Sequence, residues 1–146
     1  MHHSVFQVLA VHPDGQMEAG TAWFSADAQA YARSQFPHLA TDSLYALTNN
    51  HVVTGACSLF SRHVVCRRTD LPLSVCGVAA DVDLAVVRLS GAAKTYLEQK
   101  LREKTGLSTV PLLSMMNSDK VVMPSQYDPL AADASVYCQV YSELQA

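Results

Sequence analysis

No run of apolar residues in this 146-residue chain reaches the roughly 18 positions that a membrane-spanning helix needs. A helical anchor within these residues is therefore excluded. Cysteine is scarce as well. Cys57, Cys66, Cys76 and Cys138 are too few and too scattered for the disulfide framework of a small secreted domain. With His63 added, the first three invite comparison with a zinc site, but their spacings match no known ligand pair such as C-x2-C. Small buried hydrophobes are the preferred reading for them, so neither a metal nor any other cofactor is expected. Neither sign of charge dominates. A net charge of −3 gives no electrostatic case for nucleic acid or an anionic membrane surface, and the cluster from Arg62 to Arg68 reads as a solvated strand edge. The opening MHHSVFQVLAV carries no basic region and no small-residue cleavage site, so it is not read as a secretion signal. An intracellular location is favoured, unless a leader lies outside this chain.

What is present argues for one globular domain with a real core: 49% hydrophobic and 16% charged residues, at a length too short for two full domains. Ser4 to Val11 alternates like a strand, Pro13-Asp14-Gly15 is a turn, and AGTAWFS (residues 19–25) is the returning strand. Ser25 can cap a helix over Ala26 to Gln35, with Ala28, Tyr31, Ala32 and Phe36 near one face, which Pro37 stops. Leu44 to Thr48, Ala56 to Phe60, His63 to Arg68, Pro72 to Val78 and Leu84 to Leu89 follow as strands. Six or seven short strands with turn signals between them predict an all-β fold, a small antiparallel barrel. From Ser90 to Thr105, Ala93, Leu97 and Leu101 recur every four residues and Gly106 is placed to cap. This stripe suits either a barrel wall or a partner protein. Leu107 to Asp133 reads as an irregular linker, and SVYCQVY (residues 135–141) as a last strand. The expected organisation is a barrel over residues 4–90, helix and linker over 91–134, and a strand segment over 135–146.

Two stretches carry the chemistry. Tyr45 to Val53 is an apolar strand that ends in a polar turn and delivers His51. Asp81 to Leu89 is an acidic turn that leads into a second buried strand. Taken singly, such a histidine is usually a surface residue and such an aspartate a turn former. Taken together, TNNHVV (48–53), DVDLAVVRL (81–89) and the Gly-Thr-Ala-Trp-Phe order of 20–24 resemble the His and Asp segments of trypsin-like (chymotrypsin-fold) serine proteases, specifically the HtrA/Deg branch. The resemblance covers roughly residues 5 to 90. It implies a trypsin-type six-stranded barrel, here with two added short helices and a long linker. It assigns His51 as general base and Asp83 as the acid that orients it; Asp83 is preferred to Asp81 because it directly precedes Leu-Ala-Val. Thr48 and Asn50 are expected to shape the turn.

The resemblance is incomplete. In the family a second barrel follows, and its first strand is similar to SVYCQVY. None of the six glycines lies in a Gly-x-Ser-Gly pattern, and none lies beyond residue 106. No Ser or Cys here is a candidate nucleophile, since Cys138 sits mid-strand rather than on an exposed turn. A base and its orienting acid have nothing to activate without a nucleophile, and nothing stabilises the product of attack without an oxyanion hole. These residues alone are expected to be inactive. The chain reads as the His/Asp-bearing part of a serine endopeptidase. The alternative is a catalytically silent trypsin-fold subunit with a structural or binding role in a larger assembly. On either reading the expected partner is a protein that pairs with the strand Ser135 to Tyr141.

Overall fold

The computed structural model describes residues 3–35, 37–79 and 83–113. Strand β1 (Val5–Val11) turns at Pro13 to Gly15 into β2 (Met17–Phe24). Gly15 adopts φ +85°, and its amide returns to the His12 carbonyl at 2.9 Å. Ser25 then caps helix α1 (Ala26–Gln35): its Oγ accepts from the Asp27 amide at 3.1 Å and the Ala28 amide at 3.4 Å. Pro37 opens a further short helix, α2 (Pro37–Ala40), because a missing amide hydrogen that breaks a helix interior is harmless at a first position. Strand β3 (Leu44–Thr48), helix α3 (Asn50–Val53), β4 (Ser58–Arg62), β5 (Leu71–Ala79), β6 (Leu84–Leu89) and helix α4 (Gly91–Thr105) follow.

The six strands close into an antiparallel barrel in the order β1-β2-β3-β6-β5-β4. Strands β1 to β3 form a meander and β4 returns to pair with β1, which is the Greek-key arrangement. Among the described residues, closure leaves none of the six strands with an unpaired edge. The expected barrel is therefore present, with α1 inserted between β2 and β3.

The stretch His63 to Arg68, expected as a strand, is not one. Val64–Cys66 is a turn of 3-10 helix, Arg67 stands at φ +50°, and the Cys66 amide turns back to the His63 carbonyl at 3.1 Å. The barrel is already closed by six ladders and offers a seventh none. The apolar residues here serve as a plug instead: His63, Val65 and Cys66 are all buried.

Side chains alternate along β1, with Phe6, Val8 and Ala10 in the interior beside Ala22 and Phe24 of β2. Strands β3 and β6 are buried on both faces, which accounts for their unbroken apolar runs. On the outer face α1 packs against β3, and Gln29 Oε1 accepts the Tyr45 amide at 3.3 Å. The stripe Ala93, Leu97 and Leu101 of α4 belongs to the barrel core, and the helix lies against the 3-10 turn. Of the two uses open to that stripe, packing is the one observed. Gly106 ends α4 in the left-handed conformation, with its amide on the Arg102 carbonyl at 3.0 Å. The chain then runs back along the barrel. The Leu113 amide donates to Phe24 and the Leu113 carbonyl accepts from Ala26, at 3.0 and 2.9 Å. The remainder of the expected linker, the expected strand Ser135 to Tyr141 and Cys138 lie outside the described residues.

Candidate functional site

The register of two strands decides which residues meet. Strands β3 and β6 pair antiparallel with Thr48 opposite Ala85. The residues just after β3 and just before β6 must therefore share one end of the barrel. Those residues are His51 and Asp83, which lie 32 positions apart in sequence.

The turn that carries His51 is held from three sides. Thr48, fully buried, donates its Oγ1 hydrogen to the Thr21 carbonyl at 2.8 Å and fixes the end of β3 to β2. Helix α3 follows at once, and its Val52 and Val53 enter the barrel core. Gly20 of β2 makes room for Val52. A Cβ at position 20 would lie 2.6 Å from a Val52 methyl, so only glycine admits α3 this closely. Opposite, Asp83 departs from the strand and takes φ +54°, a left-handed backbone uncommon for a residue with a side chain.

Asp83 grips His51 twice. Its Oδ2 lies 2.5 Å from His51 Nδ1, and its Oδ1 accepts the His51 backbone amide at 2.7 Å. The Asp83 carbonyl is occupied too: it accepts the Asn50 amide and the Asn49 side-chain Nδ2, each at 3.1 Å. Burial pushes the Asp83 carboxyl up. The bonds from the His51 ring, the His51 amide and the Asn50 amide, together with the charge of His51, outweigh it and hold the group below the usual carboxylate range. A carboxylate on Nδ1 keeps the proton on that nitrogen and leaves Nε2 with its lone pair, the form able to accept a proton. Both side chains face solvent, His51 at 64% and Asp83 at 43% exposure.

The other residues singled out lie elsewhere. Asp81 and His2 are outside the described residues. His12 pairs with Glu18 at 3.4 Å. His63 is packed against Phe6 and Phe24, with ring centroids 4.6 and 5.8 Å away, and its Nε2 is 2.8 Å from Ser61 Oγ. Cys57 and Cys76 donate to the carbonyls of Val11 and Val86, while Cys66 lies in the plug. Among the described residues no three such side chains gather as a metal site. Burial raises the thiol of Cys66 and carries that of Cys76 up to about 11, so neither is a ready thiolate at neutral pH. Basic Arg62 is held in a two-pronged ion pair by Asp70, at 3.0 Å for each contact. Sequence reasoning passed over Asn49 and the spatial role of Gly20. The adjacent TNN and the glycine of GTAWF were legible, but what each touches depends on strands that meet only in the fold.

No protein-family model matches this sequence, and no curated protein is similar to it. Solved structures are. The Rv3671c protease of M. tuberculosis, in its active form, is similar over 60% of this chain and 31% of its own, with 18% identity and a TM-score of 0.43. The HtrA-type protease AlgW, with a tripeptide, is similar over 60% of this chain and 23% of its own, with 20% identity and a TM-score of 0.43. A serine endoprotease from Yersinia pestis is similar over 81% of this chain and 31% of its own, with 17% identity and a TM-score of 0.48. This chain thus spans less than a third of the length of each of these proteins.

Proposed function

We propose that this chain supplies the general base and its orienting acid to a trypsin-like serine endopeptidase, with His51 as base and Asp83 as orienter. The observation that supports this most is the double grip of Asp83 on the ring and the backbone of one histidine. A carboxylate that only stabilised a turn would need the amide bond alone. The second bond selects the tautomer and the angle of the ring, which matters when Nε2 must take a proton from a nucleophile. Exposure of the ring is consistent with that task.

Gly-x-Ser-Gly, the pattern expected to carry the nucleophile and shape the oxyanion hole, does not occur in these 146 residues. On this reading the nucleophile and the oxyanion hole come from protein outside them, on the same polypeptide or another, and without it the pair has no proton to accept. The test uses the protein purified from its natural source with whatever accompanies it. Fluorophosphonate labelling reports an activated serine, and intact mass reports on which polypeptide it lies. The expected result is a labelled serine in covalent or tight association with this chain, with labelling abolished by His51→Ala. Absence of any labelled serine would overturn the proposal and leave the second reading, a silent subunit held in an assembly through protein contacts.

A further inference from the structure

We propose that Asn49 is a positioning residue for this pair: its side-chain amide holds the Asp83 backbone in the conformation from which the carboxylate reaches His51. The inference rests on the assignment of His51 and Asp83 as the base and its orienter.

Asn49 is the residue before α3, where asparagine ordinarily folds its side-chain oxygen onto the first amides of the helix. Here it makes no such cap. Its Nδ2 reaches across to the Asp83 carbonyl at 3.1 Å instead. Asn50 donates its amide to the same carbonyl at 3.1 Å, and His51 donates its amide to the Asp83 carboxylate at 2.7 Å. Three successive residues of one turn thus clamp one residue of another.

That residue needs clamping. Asp83 stands at φ +54°, where a side-chain-bearing residue relaxes toward extended backbone unless something holds it. Relaxation would carry the carboxylate in line with β6, away from the ring. A donor on the carbonyl that is itself a side chain resists this rotation, because it is anchored in the turn that bears His51. The amide of Asn50 alone leaves the second lone pair of that carbonyl to water. The proposal concerns geometry at His51 and requires no nucleophile.

The experiment uses the 146-residue chain in four forms: unchanged, Asn49→Ala, Asn49→Asp and Thr54→Ala. Asn49→Asp keeps the shape and removes the donor. Thr54→Ala removes the bond from Thr54 Oγ1 to the Asn50 carbonyl, at 2.7 Å, which steadies the same helix without touching Asp83. Two NMR readouts are taken: solvent exchange of the His51 Nδ1 hydrogen, and the titration of the Asp83 carboxyl carbon. Loss of one hydrogen bond predicts exchange about fivefold faster in both Asn49 variants. In Asn49→Ala, which adds no charge beside Asp83, the Asp83 titration should move up toward the ordinary carboxylate value, and Thr54→Ala should move neither. Equal shifts in Thr54→Ala, or unchanged exchange in the Asn49 variants, would overturn the proposal. So would an Asn49→Ala chain that fails to fold, because Asn49 would then be holding the barrel together rather than the pair. A failure to label a serine leaves these readouts untouched, so the two proposals fail separately.

Discussion

Lowering the pH should weaken this barrel through one residue, His63, well before its carboxylates are protonated. Its side chain is only 5% exposed, it lies parallel to Phe24, and its Nε2–H is satisfied by Ser61, whose hydroxyl donates onward to the Leu71 carbonyl at 3.4 Å. Burial carries its pKa down to about 4, against a smaller opposing pull from Asp70. The unfolded chain takes up the same proton at about 6.5. Between those values the unfolded state binds more protons than the folded one, so stability falls as the pH falls through that window. The loss amounts to about 3 kcal/mol by pH 4 and little below it. That is a large share of the stability of about 5–15 kcal/mol that a domain commonly has. Asp70 and Asp83 work in a separate window. Their folded values are depressed, so what they contribute is present above their ordinary carboxylate range and is lost only as the pH falls below it. Urea unfolding at pH 7, 6, 5 and 4.5, beside His63→Gln, separates these effects. Glutamine keeps a donor near Ser61 but does not titrate. It should cost about 1 kcal/mol at pH 7 through the lost ring contacts, and should flatten the decline between pH 6.5 and 4.5. A parent chain whose midpoint is level across that range, or a variant that declines in parallel with it, would refute the reasoning.

Two further outcomes are expected. Gly20→Ala forces a carbon within 2.6 Å of a Val52 methyl, and valine cannot swing aside, so the chain should lose about 1–3 kcal/mol in urea unfolding. The same substitution displaces α3 and should broaden the His51 ring resonances. Ser25→Ala removes the oxygen that accepts the Asp27 and Ala28 amides; a loss of about 1 kcal/mol, read as a fall in thermal midpoint, is expected.

Local signals in the chain were enough to place most elements. The bounds of α1, β3 and β6 follow from Ser25 and Pro37, from the apolar run Leu44 to Thr48 and from Leu84 to Leu89, because capping, proline sterics and strand patterning act within a few residues. Strand patterning also predicted an antiparallel barrel of six or seven strands, whereas the count of six and the choice of His51 and Asp83 came from the resemblance to trypsin-like proteases. What depended on distant contacts was hidden. The stretch His63 to Arg68 has a strand-like composition and became a plug because the closed ring had no ladder left for it. His63 has no sequence neighbour to mark it as buried against two phenylalanines. The left-handed Asp83 and the reach of Asn49 to its carbonyl exist only once β3 and β6 are in register. Residue types and periodicity thus determined most of the strands and the two longer helices. The tertiary structure decided which side chains meet, since a bond between positions 32 apart forms only where pairing of other residues brings them together.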